Sequence, residues 1–548
     1  MPAPRPRAVQ GASRTPRAAR WALALLALVG SGCNGSTAEP AGDEPGARRN
    51  LILIVVDTLR ADHIGAVGGP VPTPTMDALA ASGVLFSQAR SHIPTTGPSH
   101  GSMFTSLLPS EHGTRGNSQT LDDANLTLAE ALGAQGWHTA AFVSLGVLQD
   151  RFGFDQGFDE YSNWFQGRWW KSGEVINSEV LRWIERASDD PLFLFLHYSD
   201  PHTPYAPPDY DYPLVTLSYA QAELARMKAD ARAERVSLTL QPGANDIELM
   251  PPEGVERDTL GCGLVTPSVP GVEVHFSKGE DFLPGLGDGS IPPFGTLPTV
   301  IRLVNPTPDP LPITLDVTTR INLPPDAWPE WYGREVAFLD AKLGRVVDAL
   351  KRQGLWEDSV VVLTADHGEG LGQHDLQQHI EQLYDTLLRV PLIVAAPGLL
   401  PEGEVVDLPV QHVDLLPTVL DLLGVPSDRP MRGRSLVPIA RGDAPATPVP
   451  ILGETHRPEA RRDQRSLVFN GFKYIVDTGT GAEELYALAD DPGELHDLAA
   501  ERPDVLERLR ATMAEQFALR LGPDVEPAGR QALTEEERAR MAELGYTR

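Results

Sequence analysis

Two hydrophobic rhythms alternate along this chain. Leu51-Ile-Leu-Ile-Val-Val56 is unbroken, as expected of a strand buried on both faces, and it ends in Asp57. Ser359-Val-Val-Val-Leu-Thr-Ala365 is a second such run and ends in the adjacent pair Asp366-His367. Pro191 to Tyr198, containing Leu-Phe-Leu-Phe-Leu-His, predicts a third buried strand; His138–Ser144 and Val390–Ala396 predict two more. Between these runs the apolar spacing is helical. Val336, Leu339, Leu343, Val346, Val347 and Leu350 predict a helix over Glu335–Gly354. Shorter helices are expected at Thr75–Gly83, Thr127–Gly136 and Val410–Leu423. The alternation predicts an α/β fold with a doubly wound sheet, mixed but mostly parallel. Ligands in such sheets sit at the carboxyl ends of strands, where Asp57, His197, Asp366 and His367 fall.

The rhythm changes twice. Val236–Leu240, Val272–Phe276, Thr299–Val304 and Ile313–Val317 alternate with period two between Pro- and Gly-rich turns. They predict an inserted β-sandwich over residues 235–323, preceded by a helix at Tyr219–Ala233. The insertion divides the α/β domain into 50–234 and 324–447. Short strands at Ser466–Asn470 and Lys473–Asp477, then a helix from Pro503, predict a C-terminal α+β subdomain with a helical tail over 448–548.

The chain has 548 residues and a formal charge of −29, which argues against a nucleic-acid partner. A metal and a few local cations can still reverse the field inside one pocket, so an anionic substrate is compatible. Five arginines (Arg5, Arg7, Arg14, Arg17, Arg20) and no acids precede the short apolar stretch Trp21–Val29 and then Gly30-Ser-Gly-Cys33. This resembles a bacterial lipoprotein signal over residues 1–32, with Gly30 where leucine is usual. It implies cleavage before Cys33, a lipid on that cysteine and a place in the cell envelope, facing the periplasm or the cell surface. Loss of five arginines from a chain of −29 leaves −34. Cys262 is the one other cysteine, so a lipidated Cys33 leaves no intrachain disulfide. Residues 33–49, rich in Gly, Pro, Ser and Glu, read as a flexible tether.

A second chemical centre lies at Ser91–Ser106, where Thr95, Thr96, Ser99 and Ser102 precede or open an expected helix. Backbone donors there favour an anion, though a hydroxyl at this position commonly just caps the helix. Its company gives it meaning. Asp57-Thr-Leu-Arg-Ala-Asp-His63, Thr96-Gly-Pro-Ser-His-Gly-Ser102, Pro109-Ser-Glu-His-Gly113, Asp200-Pro-His-Thr-Pro-Tyr205, Asp366-His-Gly-Glu369, Arg389-Val-Pro-Leu392 and Glu484-Leu-Tyr486 with Asp490-Asp-Pro-Gly-Glu494 follow in that order. Together they resemble the sulfatase family of the alkaline phosphatase superfamily, across Asn50 to about Ala500 apart from the insertion.

The resemblance implies one divalent cation held by Asp57, Asp366, His367 and Thr96. Oxygen ligands suit calcium; the imidazole brings manganese and zinc into range. Thr58 stands where the family often has a second acid. Thr96 stands where active sulfatases have the Cys or Ser that becomes formylglycine, so no formylglycine is expected. His100 replaces the following arginine. A threonine suits attack on a phosphoester, as in phosphodiesterases and phosphoethanolamine transferases of the superfamily, whereas a sulfated threonine lacks the aldehyde route for expelling sulfate. His202 falls where the family has a histidine touching the anion or leaving group, with His197 on the same strand. His112 could touch the anion, and Arg60 and Arg115 could supply positive charge. His379 stands in for a leaving-group lysine, with His374 nearby. Asp200, His202 and His379 could alternatively hold a second metal. Trp164, Trp169 and Trp170, with Phe165 and Arg168, form a patch read as core or lid packing or as a sugar- or membrane-facing surface.

The expectation is a membrane-tethered, metal-dependent ester hydrolase. Its substrate is a sulfated or phosphorylated small molecule, glycan or lipid. The rivals are a transferase on the same site and an inactive fold binding glycans or envelope components.

Overall fold

The computed structural model describes residues 49–163, 165, 169–187, 190–202, 233–248, 260–269, 272–278, 281–284, 300–321, 328–376, 378–445, 447–458, 460–523, 529, 531–534 and 537. The N-terminal segment with Cys33, Trp164, Arg168 and all but the last residue of the expected helix Tyr219–Ala233 lie outside this set. No helix among the described residues is long and apolar enough to cross a membrane.

The five expected strands form the middle of one eight-stranded sheet. Its members are β1 (Asn50–Val56), β2 (Val84–Arg90), β3 (His138–Phe142), β4 (Glu160–Ser162), β5 (Leu192–Tyr198), β13 (Ser359–Ala365), β14 (Leu392–Ala395) and β15 (Glu404–Gln411). The order is β15-β2-β14-β13-β1-β5-β3-β4. β14 runs antiparallel to both of its neighbours; the other pairs are parallel. Every residue of β1, β5 and β13 is buried, which explains their unbroken apolar runs. Val56 pairs with Ala365, so Asp57 and Asp366 leave adjacent strand tips side by side.

Parts of the large sheet and two helices depart from the sequence reading. β2 and β15 were not separated from their surroundings by the hydrophobic pattern. Val410 lies inside β15, which ends at Gln411, rather than opening a helix, and the helix runs only over Leu415–Leu422. Val406, Leu408 and Val410 are buried and alternate with exposed Val405 and Asp407 and half-buried Pro409, the period-two signature of a strand. The long helix Trp328–Arg352 begins seven residues before the expected Glu335, because Trp331 and Tyr332 extend its buried stripe.

Residues 233–321 contain β6 (Ala233–Leu240), β7 (Gly243–Glu248), β8 (Leu260–Pro267), β9 (Glu273–Lys278), β10 (Asp281–Pro284), β11 (Val300–Asn305) and β12 (Leu311–Ile321). They form two antiparallel sheets, β10-β9-β11-β7 and β6-β12-β8. The four period-two runs overlap β6, β9, β11 and β12.

At the C-terminal end β16 (Ile451–Glu454), β17 (Gln464–Phe469), β18 (Phe472–Asp477) and β19 (Glu483–Ala487) form an antiparallel sheet. The helix Pro503–Ala518 packs on it through Val505, Leu506, Leu509 and Met513. A buried charge cluster ties this sheet to the large one. Arg90 bonds Asp385 at 2.6 Å, and Lys473 Nζ reaches Asp385 at 2.9 Å and Glu494 at 2.8 Å. Glu494 closes the Asp-Asp-Pro-Gly-Glu motif, which here has an architectural role.

Candidate active site

Asp57 and Asp366 emerge from the tips of β1 and β13, and both are fully buried. Thr58 has φ of 59°, in the left-handed region that a β-branched residue rarely adopts. That turn aims its N–H at Asp366 Oδ1 (3.2 Å), and the His367 N–H donates to the same oxygen (2.8 Å). The Tyr332 hydroxyl donates to the Thr58 carbonyl and accepts the Arg60 N–H at 2.8 Å, holding the turn from behind. One oxygen of Asp366 is therefore engaged by backbone, and Oδ2 is buried without a hydrogen-bond partner.

Thr96 opens the helix Thr96–Thr105, all of whose residues are buried. Its hydroxyl donates to Asp57 Oδ2 at 3.3 Å. Ser99 Oγ donates to the Asp366 carbonyl at 2.7 Å, locking the helix to the tip of β13. Three segments far apart in sequence thus converge on one point.

The spacing of their polar atoms is informative. His367 Nε2 lies 3.9 Å from Asp57 Oδ1 and 3.6 Å from Asp366 Oδ2. These gaps exceed the ~3.2 Å limit of a hydrogen bond. They match two ligands of one ion, since bonds of ~2.0–2.4 Å at tetrahedral or octahedral angles place ligands ~3–4 Å apart. His367 Nδ1 donates to the Gly368 carbonyl at 2.9 Å, which leaves the Nε2 lone pair facing the carboxylates. Such a back-bonded imidazole is usual for a metal ligand. Burial holds His367 down at about 3, so the ring is neutral at pH 7, and pushes Asp366 up to about 6 against the pull of His100. Asp57, Asp366 and His367 fit a divalent cation, with Thr96 beside them.

The other expected residues fall into three groups. His379 and His202 continue the cluster. Their rings are 5.0 Å apart, and His379 is 4.5 Å from the His367 ring. His379 Nδ1 is 3.2 Å from Glu369 Oε1. Glu369 had no assigned role in the sequence reading, although it closes the Asp-His-Gly-Glu motif. His100 and His197 are buried beside Asp366 and Asp57, at 4.0 and 3.8 Å.

His112, by contrast, is a support. Its Nδ1 accepts the Thr114 N–H and its Nε2 meets Ser102 Oγ at 3.3 Å. The ring packs on Gly101, where a Cβ would stand 2.7 Å from it, which explains the glycine after His100. Arg60 is committed to Asp62, the Glu369 carbonyl and Gln373, and Arg115 reaches the Ser110 carbonyl. Asp200 accepts the Gly173 N–H at 2.9 Å, and the candidate ligand groups formed by the described residues do not include it. His374 stacks on Tyr384, and Trp169 is buried against Gly146 while Trp170 is partly exposed.

Residues 49–425 match the family model described as Sulfatase. The chain belongs to the sulfatase family. Residues 372–519 also match the model described as N-sulphoglucosamine sulphohydrolase, C-terminal. This sulfatase-family hydrolase is 26% identical to the uncharacterised sulfatase YidJ of Escherichia coli (strain K12), across 82% of this chain and 83% of that protein. Its fold is shared with the phosphonate monoester hydrolase of Agrobacterium radiobacter, with a TM-score of 0.59, 21% identity, and coverage of 86% of this chain and 96% of that one. A further structure, solved in complex with its substrate D-glucosamine-2-N,6-O-disulfate, matches with a TM-score of 0.59 at 17% identity, over 86% of this chain and 98% of that one. The family is metal-dependent, in keeping with the candidate ligand group at Asp57, Asp366 and His367.

Proposed function

We propose that this sulfatase-family hydrolase cleaves phosphoric or phosphonic esters with Thr96 as nucleophile. The carrying observation is the Thr96 hydroxyl set against Asp57 at 3.3 Å, beside Asp366 and His367. Asp57, Asp366, His367 and Thr96 would hold one divalent cation, which when bound supplies positive charge against the non-bridging oxygens of the substrate. Manganese or zinc suits the imidazole better than calcium does.

Thr96 Oγ1 forms a bond to phosphorus as the bond to the leaving oxygen breaks. The hydroxyl proton passes to Asp57, and the leaving oxygen takes a proton from His379 or His202. Water then cleaves the phosphothreonine ester. The phosphonate monoester hydrolase among the structural neighbours supports this chemistry. The neighbour with a sugar disulfate supports a sugar or glycan ester as the group carried.

The same reading places the chain at the cell envelope through a lipid on Cys33. Cys33→Ser is expected to release it from membranes and to abolish labelling by a fatty-acid probe.

The deciding test is turnover of aryl phosphate, phosphodiester, phosphonate and sulfate esters with manganese, zinc or calcium, with rapid quenching and peptide mapping. Phosphate on Thr96 during phosphoester turnover supports the proposal. Sulfate-ester turnover that exceeds phosphoester turnover and survives Thr96→Ala overturns it.

A further inference from the structure

The end of the chain returns to the neighbourhood of Thr96. The loop at residues 114–121 follows the short helix Pro109–His112, and its Asn117 is buried. Asn117 Oδ1 accepts the Gly97 N–H at 2.8 Å. Gly97 is the second residue of the helix that Thr96 opens, so this donor is one that the helix itself leaves without a partner. A Cβ at Gly97 would stand 3.3 Å from the same oxygen, which leaves the two groups little room to shift. Asn117 therefore fixes the backbone directly after the threonine.

That loop is gripped from outside by the C-terminal tail. The Gln531 N–H donates to the Ser118 carbonyl at 2.8 Å. Gln531 Nε2 donates to Thr120 Oγ1 at 3.0 Å, across 411 positions of sequence. Gln531 is exposed, but the residues after it are anchored. Leu533 packs on the main core, and the Glu537 carboxylate pairs with Arg151 at 2.8 Å. Thr534 and Glu537 bond each other reciprocally, N–H to side-chain oxygen in both directions, at 2.8 and 3.2 Å. The loop is also braced within itself. Gln119 Oε1 accepts the Arg115 N–H at 2.6 Å, and Thr114 Oγ1 donates to the Thr120 carbonyl at 3.1 Å. A stiff loop passes a shift at Ser118 on to Asn117 instead of absorbing it.

We propose that Gln531, with the anchored tail behind it, positions the nucleophile by holding Asn117 against Gly97. It rests on reading Thr96 as the attacking group. Gln531 touches no reacting atom; it is a positioning residue that acts through Ser118, Asn117 and Gly97. A displacement of the attacking oxygen by about 1 Å can cost about 10²-fold in rate. Loss of the tail contact changes the aim of the hydroxyl and not the binding of the substrate, so kcat falls and KM holds.

The test combines hydrogen exchange with kinetics on two full-length variants. Gln531→Pro removes both bonds to the loop, and Leu533→Asp separately lifts the tail from the core. In each, peptides over residues 94–121 are expected to exchange about 10-fold faster or more, while peptides from β1 and β13 keep their wild-type rates. On an aryl phosphate, kcat is expected to fall about 10- to 100-fold with KM within about twofold. Wild-type exchange over residues 94–121 in both variants overturns the proposal. So does faster exchange with unchanged kcat, and so does faster exchange spread over the whole chain, which is loss of stability alone. A wild-type chain without phosphoester turnover refutes the function by itself, and the exchange pattern then judges the hold of the tail on the helix start.

Discussion

Thr96 Oγ1 lies 3.3 Å from Asp57 Oδ2 although 39 residues separate them in the chain. β1 delivers the carboxylate and a buried helix start delivers the hydroxyl. A threonine hydroxyl is a weak nucleophile until a neighbour takes its proton or an ion lowers its pKa. Thr96→Ala is therefore expected to lower kcat on phosphoesters by roughly 10³-fold or more. Thr96→Ser keeps the hydroxyl and is expected to retain activity within about tenfold. Steady-state kinetics on variants with matched metal content checks both.

Asp366→Asn and His367→Ala each remove a candidate ligand from the proposed cation site. Both variants are expected to lose bound metal, measured by plasma mass spectrometry. Chelation of the wild-type chain is expected to lower its melting temperature. An ion at 100 times its Kd stabilises a fold by about 2.7 kcal/mol, and removing it returns that amount.

His379 and Glu369 should act as a unit, since the carboxylate oxygen is 3.2 Å from Nδ1. Burial holds His379 down at about 3 even with that carboxylate beside it, so the ring is expected to gain its proton only when an anionic substrate binds. His379→Ala and Glu369→Gln are expected to slow esters of alkyl alcohols by about 10²- to 10⁴-fold, the usual size of general acid catalysis. Esters of acidic phenols should slow less. A plot of log kcat against leaving-group pKa should steepen in both variants.

Lys473 is fully buried between Asp385 and Glu494. Removing one partner of a buried ion cluster leaves charge without compensation. Lys473→Ala is expected to cost about 3–5 kcal/mol in urea unfolding. The variant should keep its metal content if it folds, since the cluster lies outside the ligand set.

His92 and His112 are buried, and burial holds them at about 4 and about 3. Unfolding restores an ordinary imidazole, so the unfolded chain binds more protons between these values and about 6.5. Stability from both groups is full above about pH 6.5 and falls as pH drops toward 4 and then 3. The full fall is about 3 kcal/mol for His92. His92→Gln is expected to flatten the melting temperature against pH below 6.5. An unchanged profile would refute the assignment.

Much of the fold was legible because β1, β5 and β13 are buried on both faces and so carry uninterrupted apolar runs. β2 and β15 were harder. Both carry half-buried or exposed positions, and β15 lies at the sheet edge, where its pattern ran on into the following helix. Asp57, Asp366 and His367 could be picked out as candidates because they follow such runs directly, at the strand tips. His112 and Arg60 could not be sorted from ligands, since a motif histidine that packs on a glycine is written like one that touches substrate.

By itself the sequence determined the strand interiors, the acids and imidazole that follow them and the threonine at position 96, because each depends on local pattern or residue type. Only the tertiary structure decided that Val56 pairs with Ala365, which brings Asp57 next to Asp366, and that His100 and His197 meet behind them. Parallel pairing joins segments some 300 residues apart through backbone hydrogen bonds that no residue type specifies. The contents of the site therefore followed from composition and motif, and its shape from strand order.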